Sequence, residues 1–353
     1  MKIVVTGAGG APTEGVVRSL LESDLNLEII GVGADKGDLA LSRAHRKYLV
    51  PYANDENYQR ELFKIIELER PIFIHAQNDN EVLKISKLRS LLDKQGVKTY
   101  LPRHEVIETC VSKWLSYKAF SEAGVKVPKT ILIENHHDLE EAFDTLINKT
   151  GRLWLRSNSV GGGGTGALPT GDLNLAEAWI SRFNGWGNFL AAELLSSASV
   201  TWLSLWQHGK LVVAQSRLRD GWVHGNRAPS GVTGVTKIGR TFSDIQVDKI
   251  ALSTIQAVDT EPHGIYGVDM SYDIDGVPNP TEINIGRFFT TVYFFTKAGL
   301  NMPEIYTRIA VEANYQCDFG SMNPLPNNLL WVRGMDTEPK LLNAFDLDYR
   351  FQT

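Results

Sequence analysis

The sequence predicts a parallel-sheet α/β unit at the amino terminus followed by a two-lobed α+β unit, and three observations carry that prediction. Apolar runs and helical periodicities alternate over residues 1 to 102, as expected of βαβ units whose parallel sheet is covered on both faces. A strand signal from Leu153 to Arg156 opens into the glycine run Gly161, Gly162, Gly163 and Gly164. The dipeptides His208-Gly209 and Asp275-Gly276 each separate strand-like runs and predict antiparallel hairpins. At 353 residues the chain exceeds one ordinary core, and 43% hydrophobic residues suffice to build two or three.

The elements follow in order. A strand from Lys2 to Thr6 precedes a helix from about Thr13 to Glu22, and a second strand from Leu27 to Val32 follows. Helices near Glu56 to Leu68 and Asn80 to Gln95 flank a third strand at Ile72 to His75. Gly7-Ala-Gly9-Gly10 leaves the first strand with Gly15 beyond, and Asp35 follows the second strand. This is close to a dinucleotide fingerprint of the Rossmann type, although Pro12 and Thr13 disturb its spacing. The loop could instead offer backbone N–H groups to an anionic substrate at a helix start. Asn78-Asp79-Asn80-Glu81 lies on the same edge and reads as a helix start capped by Asp79 or Asn80. Residues 103 to 125 read as a link that contains a helix capped by Ser112 and stopped by Gly124.

A two-residue turn at Asp275-Gly276 sets positions summing to 551 opposite each other, so Asp269 faces Glu282 and Gly267 faces Asn284. Two carboxylates directly across a ladder repel, which calls for a cation between them. Oxygen donors of this type suit Mg²⁺ completed by substrate phosphates. Ser216-Arg217-Leu-Arg219 places two guanidiniums on one strand face, where an anion would relieve their repulsion. Asp220 to Lys237, with four glycines, reads as a long lid-like loop whose His224, Asn226, Arg227 and Lys237 could meet substrate.

Taken together, Asp269…Glu282-Ile-Asn284-Ile-Gly-Arg287 and the glycine run upstream resemble the magnesium and nucleotide sites of the ATP-grasp superfamily of carboxylate-amine ligases. The branch most similar is that of the carbamoyl phosphate synthase large subunit, and the resemblance spans about Met1 to Cys317. It implies a Rossmann-like first domain over 1–102 and a small lobe with the glycine loop over 103–185. A large lobe with the metal site over 186–316 and a carboxyl-terminal arm over 317–353 complete the chain. It also implies ATP with Mg²⁺, or Mn²⁺ in its place, held by Asp269, Glu282 and Asn284. Lys113, Arg156 and Gly161 to Gly164 would hold the phosphates, and Glu193 and Leu195 the adenine. Arg287, Arg217 and Arg219 would serve transfer and the acid substrate. Two departures stand out: Ser199 sits where many relatives carry a ribose-binding glutamate, and Gly267 where peptide-ligase relatives often carry an arginine. The implied reaction activates a carboxylate as an acyl phosphate and couples it to an amine or ammonia. A non-catalytic ATP-binding regulatory module and an NAD(P) oxidoreductase remain as other readings.

A net charge of −5 and the lack of any Lys/Arg run argue against a nucleic-acid partner. Cys110 and Cys317 alone make neither a disulfide framework nor a zinc site. With no apolar stretch near 18 residues, no membrane association is expected, and a cytoplasmic setting with small-molecule acid and amine partners is. The end beyond 317 reads as a packing arm or a homodimer contact.

Overall fold

The computed structural model describes residues 1–147, 150–158, 164–316 and 318–334. Strands β1 (Lys2–Thr6), β2 (Glu28–Gly33), β3 (Arg46–Leu49) and β4 (Phe73–His75) form a parallel sheet in the order β3-β2-β1-β4. Parallel pairing needs crossovers, and helices α1 (Ala11–Leu21), α2 (Lys36–Leu41) and α3 (Tyr58–Glu69) connect the strands, with α4 (Asp79–Lys94) following β4. Ile3, Val4, Val5, Ile29 and Ile30 are fully buried, as both-face coverage requires. The short α2 and β3 fall where the sequence shows no clear period.

The stretch read as a link is mostly helical, with α5 (His104–Val111) running into α6 (Lys113–Glu122). Ser112 caps α6 as expected, its hydroxyl accepting from the Leu115 N–H. Strands β5 (Thr130–Ile133), β6 (Leu153–Ser157), β7 (Leu168–Thr170) and β8 (Phe189–Glu193) make an antiparallel sheet in the order β5-β8-β6-β7. Helices α7 (His136–Leu146) and α8 (Leu173–Arg182) bury their apolar faces with it in one core. Since β8 pairs within this sheet, the sheet extends past the expected boundary at 185 to Glu193.

The third sheet contains β9 (Ser199–Gln207), β10 (Lys210–Trp222), β11 (Thr236–Phe242), β12 (Gly264–Tyr272) and β13 (Pro278–Ile285), then β14 (Ser321–Met322) and β15 (Leu330–Val332). Its order is β13-β12-β9-β10-β11-β15, with β14 parallel to β10. Pro278 and Pro280 are tolerated in β13 because it is an edge strand. Helix α9 (Ile245–Val258) packs on this sheet, and α10 (Val292–Lys297) and α11 (Met302–Val311) pack against α1. Val16, Phe295, Tyr306 and Leu203 therefore share one core that joins the first and third sheets. Trp331 of β15 stacks on Phe294 at 5.7 Å, which fixes the described part of the arm to that core. Cys110 is buried, and Cys317 lies outside the described residues.

Both hairpins form, and both carry bulges. His208 and Gly209 have φ of 46° and 76°, the mirror-image turn that matches strand twist. A shift between Leu211 and Val213 then moves β10 by one residue against β9. In the second hairpin Asp275-Gly276 does not form a two-residue turn. The loop spans Asp273 to Val277, because the Asp273 carboxylate accepts the N–H groups of Asp275 and Val277. Tyr272 consequently faces Pro278, one position short of the expected register. A β-bulge at Thr281 restores it, so that Asp269 does face Glu282 and Gly267 does face Asn284. The lid-like loop is also shorter than expected, since β10 runs to Trp222 and β11 begins at Thr236.

Candidate active site

Register places a polar row across the third sheet. Glu282 of β13 is opposite Asp269 of β12, Asp269 is opposite Thr201 of β9, and Thr201 is opposite Arg217 of β10. Directly paired residues point to the same face, so these side chains share one surface. The Thr201 hydroxyl donates to Asp269 Oδ1, and Arg217 Nη2 donates to the Thr201 oxygen at 2.6 Å. Arg219, opposite Ser199, reaches Asp269 Oδ1 at 3.5 Å. Asn284 Nδ2 donates to Asp269 Oδ2 at 3.0 Å.

Cations from three other segments converge on this row. Arg156 in β6 lies 3.8 Å from Glu282, and Lys113, the first residue of α6, lies 3.9 Å from it. Arg156 Nη2 also donates to the Thr281 carbonyl at 2.8 Å, satisfying an oxygen that the bulge removes from the ladder. Arg287, just beyond β13, donates from Nη2 to Asn284 Oδ1 at 2.6 Å and grips Asp79 with Nε and Nη2. Five predicted cations and three carboxylates thus meet here, leaving two positive charges in excess for an anionic ligand.

The electrostatics agree. Burial pushes the Asp269 carboxyl upward, but Arg219, the Thr201 hydroxyl, Arg217 and Asn284 together hold it below the usual carboxylate range. Burial lowers the Lys113 ammonium, with Glu282 opposing that shift and Arg156 reinforcing it. Glu282 accepts no hydrogen bond among the described residues, and its two cations stand too far away for one. Facing carboxylates with one uncommitted member fit a hard divalent cation. Asn284 departs from the expected ligand geometry, because its oxygen is turned to Arg287 and its nitrogen to Asp269. Its amide must rotate before it can donate oxygen to a metal. Among the described residues no three His, Cys, Asp or Glu side chains cluster as a metal site, so this pair plus an amide is the donor set present.

No protein-family model matches the sequence, nor does any curated protein. Solved structures do. The chain is similar to N5-carboxyaminoimidazole synthetase from Staphylococcus aureus complexed with ADP, at 14% identity and TM-score 0.67 over 91% of this chain and 79% of that one. It is similar to the biotin carboxylase domain of 2-oxoglutarate carboxylase from Hydrogenobacter thermophilus, in complex with MgADP, ADP and bicarbonate. There the identity is 13% and the TM-score 0.68, over 93% of this chain and 73% of that one. An L-amino acid ligase from Bacillus licheniformis matches at 12% identity and TM-score 0.65, over 88% and 74% of the two chains. The chain has the ATP-grasp fold.

Within the ATP-grasp fold the remaining predicted residues fall as follows. Gly161, Gly162 and Gly163 lie outside the described residues. Gly164 has φ of 76°, and a Cβ there would lie 3.0 Å from the Val232 carbonyl oxygen, so the glycine loop meets the β10–β11 loop. Glu193 ends β8, and its carboxylate accepts the Lys129 N–H at 2.8 Å. Leu195 is half-buried in the segment between the second and third sheets. Ser199, at the position noted for ribose binding, instead accepts from Arg219 Nη1 at 2.9 Å.

The amino-terminal glycine loop corrects two expectations. Its amides are already engaged: Gly7 by Glu81, Ala8 by the Val32 carbonyl, Gly9 by the Glu14 carboxylate and Gly10 by the Gly7 carbonyl. Asp35 caps α2 by accepting the Asp38 N–H at 2.8 Å. Among the described residues these four amides are therefore committed, and Glu14 takes the place that an anion would hold at the start of α1. The tetrad is also corrected, since Asn78 caps α4 and Asp79 is released to bind Arg287.

Sequence reasoning missed Asn158. Its side-chain oxygen accepts the Trp114 N–H at 2.8 Å and meets the Ser112 hydroxyl at 3.3 Å, while its carbonyl accepts the Lys113 N–H. The residue that leads toward the glycine loop therefore caps the helix that carries Lys113. No spacing rule connects positions 112 and 158, so only the fold reveals the pair.

Proposed function

We propose that this protein is an ATP-dependent ligase that activates a carboxylate as an acyl phosphate and joins it to an amine or ammonia. The observation that carries this reading is the facing pair Asp269 and Glu282, ringed by Lys113, Arg156 and Arg287 from three separate segments. Asp269, Glu282 and a rotated Asn284 would hold Mg²⁺, or Mn²⁺ in its place. The bound ion would draw charge from the triphosphate and polarise its terminal phosphoryl group. Lys113 and Arg156, both beside Glu282, would neutralise phosphate oxygens. Arg287 can stabilise charge that builds as the phosphoryl group moves.

An oxygen of the acid attacks the γ-phosphorus and ADP departs. The amine nitrogen then attacks the acyl carbon, inorganic phosphate leaves, and the nitrogen loses a proton. No enzyme nucleophile is needed, so placement and charge supply the acceleration. Loop 223–235 approaches Gly164 through the Val232 carbonyl and would cover the reacting groups from water.

Adenine would lie by Glu193 and Leu195, with Gly161 to Gly164 over the phosphates. Glu193 keeps one oxygen on Lys129, which leaves the other for a purine amino group. A homodimer is proposed because the biotin carboxylase neighbour is described as a dimer, and sedimentation of the purified chain tests it. Among the described residues no helix is long and apolar enough to cross a membrane.

The deciding experiment measures ADP release from Mg²⁺-ATP across a panel of acids, with hydroxylamine trapping any acyl phosphate as a hydroxamate. Acid-dependent ADP and hydroxamate are expected. Binding of Mg²⁺-ATP with no acid-dependent release anywhere in the panel would favour the non-catalytic regulatory module.

A further inference from the structure

We infer that Arg217 and Arg219, with the hydroxyls around them, form a second anion subsite that takes an additional carboxylate or phosphate of the acid substrate. The inference rests on the ligase reading above and concerns the part of the acid that does not react.

Arg217 is only 1% exposed and has no carboxylate within 4 Å among the described residues. Its guanidinium is solvated by neutral oxygens alone: Thr236 at 2.7 Å, Thr291 at 3.2 Å and Thr201 at 2.6 Å. Its Nε is buried and has no hydrogen-bond partner among the described residues. A buried cation without a counter-charge is costly, and hydroxyls orient around it without cancelling it. Arg219 lies beside it, bonded to Ser199, Thr201 and Thr236 and stacked 4.0 Å over Trp222. Among the described residues Asp269 is the one carboxylate within 4 Å of this pair, at 3.5 Å from Arg219.

Register shows that the arrangement is built. Arg219 faces Gly239 on β11, and a Cβ at Gly239 would lie 3.0 Å from Arg217 Cδ, so the arginine stem needs that glycine. Gly239 in turn faces Trp331, which places Arg333, two residues on, on the same surface. Arg333 Nη1 donates to the Thr290 carbonyl at 2.5 Å, beside the Thr291 hydroxyl that serves Arg217. Burial first, then Arg219 and Arg333, push the Arg217 guanidinium well below its ordinary value against the opposing pull of Asp269, as expected where guanidiniums crowd together.

Two cationic banks therefore flank Asp269 and Glu282. Lys113, Arg156 and Arg287 occupy the bank toward α6, β6 and α4, where the triphosphate and the reacting carboxylate belong. Arg217, Arg219 and Arg333 occupy the opposite bank, toward β10 and β15. Guanidinium forks there match the planar oxygens of a carboxylate or the tetrahedral oxygens of a phosphate. An acid bound across the metal carboxylates would carry its second charge into this bank.

The test is calorimetric binding to the full chain with Mg²⁺ and a non-hydrolysable ATP analogue. The probes are acids of equal length ending in a methyl, a carboxylate or a phosphate. At least one doubly charged series should bind about tenfold or more tightly than its methyl partner. The better of the carboxylate and phosphate arms identifies the group. Arg219→Gln and Arg333→Gln should each shrink that gap to about threefold or less, with Arg219→Lys intermediate. These two positions carry the test because Arg217→Gln could fail to fold. Equal binding of singly and doubly charged acids, no binding by any probe, or a gap that persists in both variants would overturn the inference. Failure of the ligase reading shows separately, as missing acid-dependent ADP release in the turnover assay.

Discussion

Asp79 and Arg287, 208 positions apart in sequence, are joined by two hydrogen bonds of 2.5 and 3.1 Å in side-on geometry. The pair is mostly buried and ties the first turn of α4, in the parallel-sheet unit, to the segment after β13. From Arg287 the contacts continue through Asn284 to Asp269, so the amino-terminal unit sets the position of a cation beside Asp269 and Glu282. Burial favours the neutral acid at Asp79, but Arg287 and Lys113 outweigh it and keep the carboxyl below its ordinary range.

Asp79→Asn should therefore loosen Arg287 without removing it. The expected result is a fall of about 10- to 100-fold in kcat/KM for the acid, with the KM for ATP changed less than about threefold. Asp79→Glu should recover part of the loss. Steady-state ADP release at varied acid and varied ATP separates the two constants. Wild-type kinetics in Asp79→Asn would show that the link is only structural.

Glu282 faces Asp269 yet accepts no close hydrogen bond, and the cations near it stand at 3.8 and 3.9 Å. Long, partly exposed pairs of this kind contribute less than about 1 kcal/mol. Glu282→Gln should thus leave the thermal midpoint of the ligand-free protein within a few degrees, while abolishing the Mg²⁺-dependent part of stabilisation by ATP. Melting curves with ATP plus Mg²⁺ and with ATP plus EDTA supply the comparison. A variant that keeps its Mg²⁺-dependent shift would show that Glu282 holds no Mg²⁺.

Asn158 joins the approach to the glycine loop to the start of α6 through the Trp114 N–H and the Ser112 hydroxyl. Asn158→Ala removes a side-chain helix cap, a loss of about 1 kcal/mol. The main-chain carbonyl at 158 still accepts the Lys113 N–H, so Lys113 is loosened rather than freed, and the KM for ATP should rise several-fold while the fold survives. Calorimetric titration with Mg²⁺-ADP checks this, and unchanged affinity would show that the cap serves stability alone.

How much of this was legible beforehand depends on where the backbone breaks its own rules. The parallel unit was readable because continuous apolar strands alternating with helices leave little topological choice. The facing of Asp269 and Glu282 was inferred correctly, but through a two-residue turn that does not exist. The five-residue loop at Asp273 and the bulge at Thr281 offset each other. In the neighbouring hairpin nothing offsets the shift near Val212. Extending the His208-Gly209 turn would have placed Arg217 opposite Val200 instead of Thr201, and a one-residue slip inverts every side chain. The hydroxyls under the arginine pair were hidden for that reason. Asp79 was visible as an acidic residue near a helix start, but its partner could not be named from sequence, since Arg287 arrives from another unit altogether.

The amino-terminal glycine loop leads to a prediction about pH. Glu81 is 5% exposed, and burial raises its carboxyl from 4.5 to about 7 despite hydrogen bonds from Thr6, Tyr58 and the Gly7 amide. The folded-state value exceeds the unfolded one, so folding favours the protonated form. That stabilisation is fully present below about pH 4.5 and is lost as pH rises through about 7. Above that range the ionised carboxylate costs the folded state on the order of 3 kcal/mol. Glu81→Gln is neutral at every pH and can keep accepting from the same donors. Its stability relative to the wild type should climb between pH 5 and 8, approaching roughly that magnitude at the alkaline end. Urea unfolding of both proteins at four pH values across the range measures the difference directly. A constant difference would mean that Glu81 titrates normally, with water reaching its carboxylate behind Gly7.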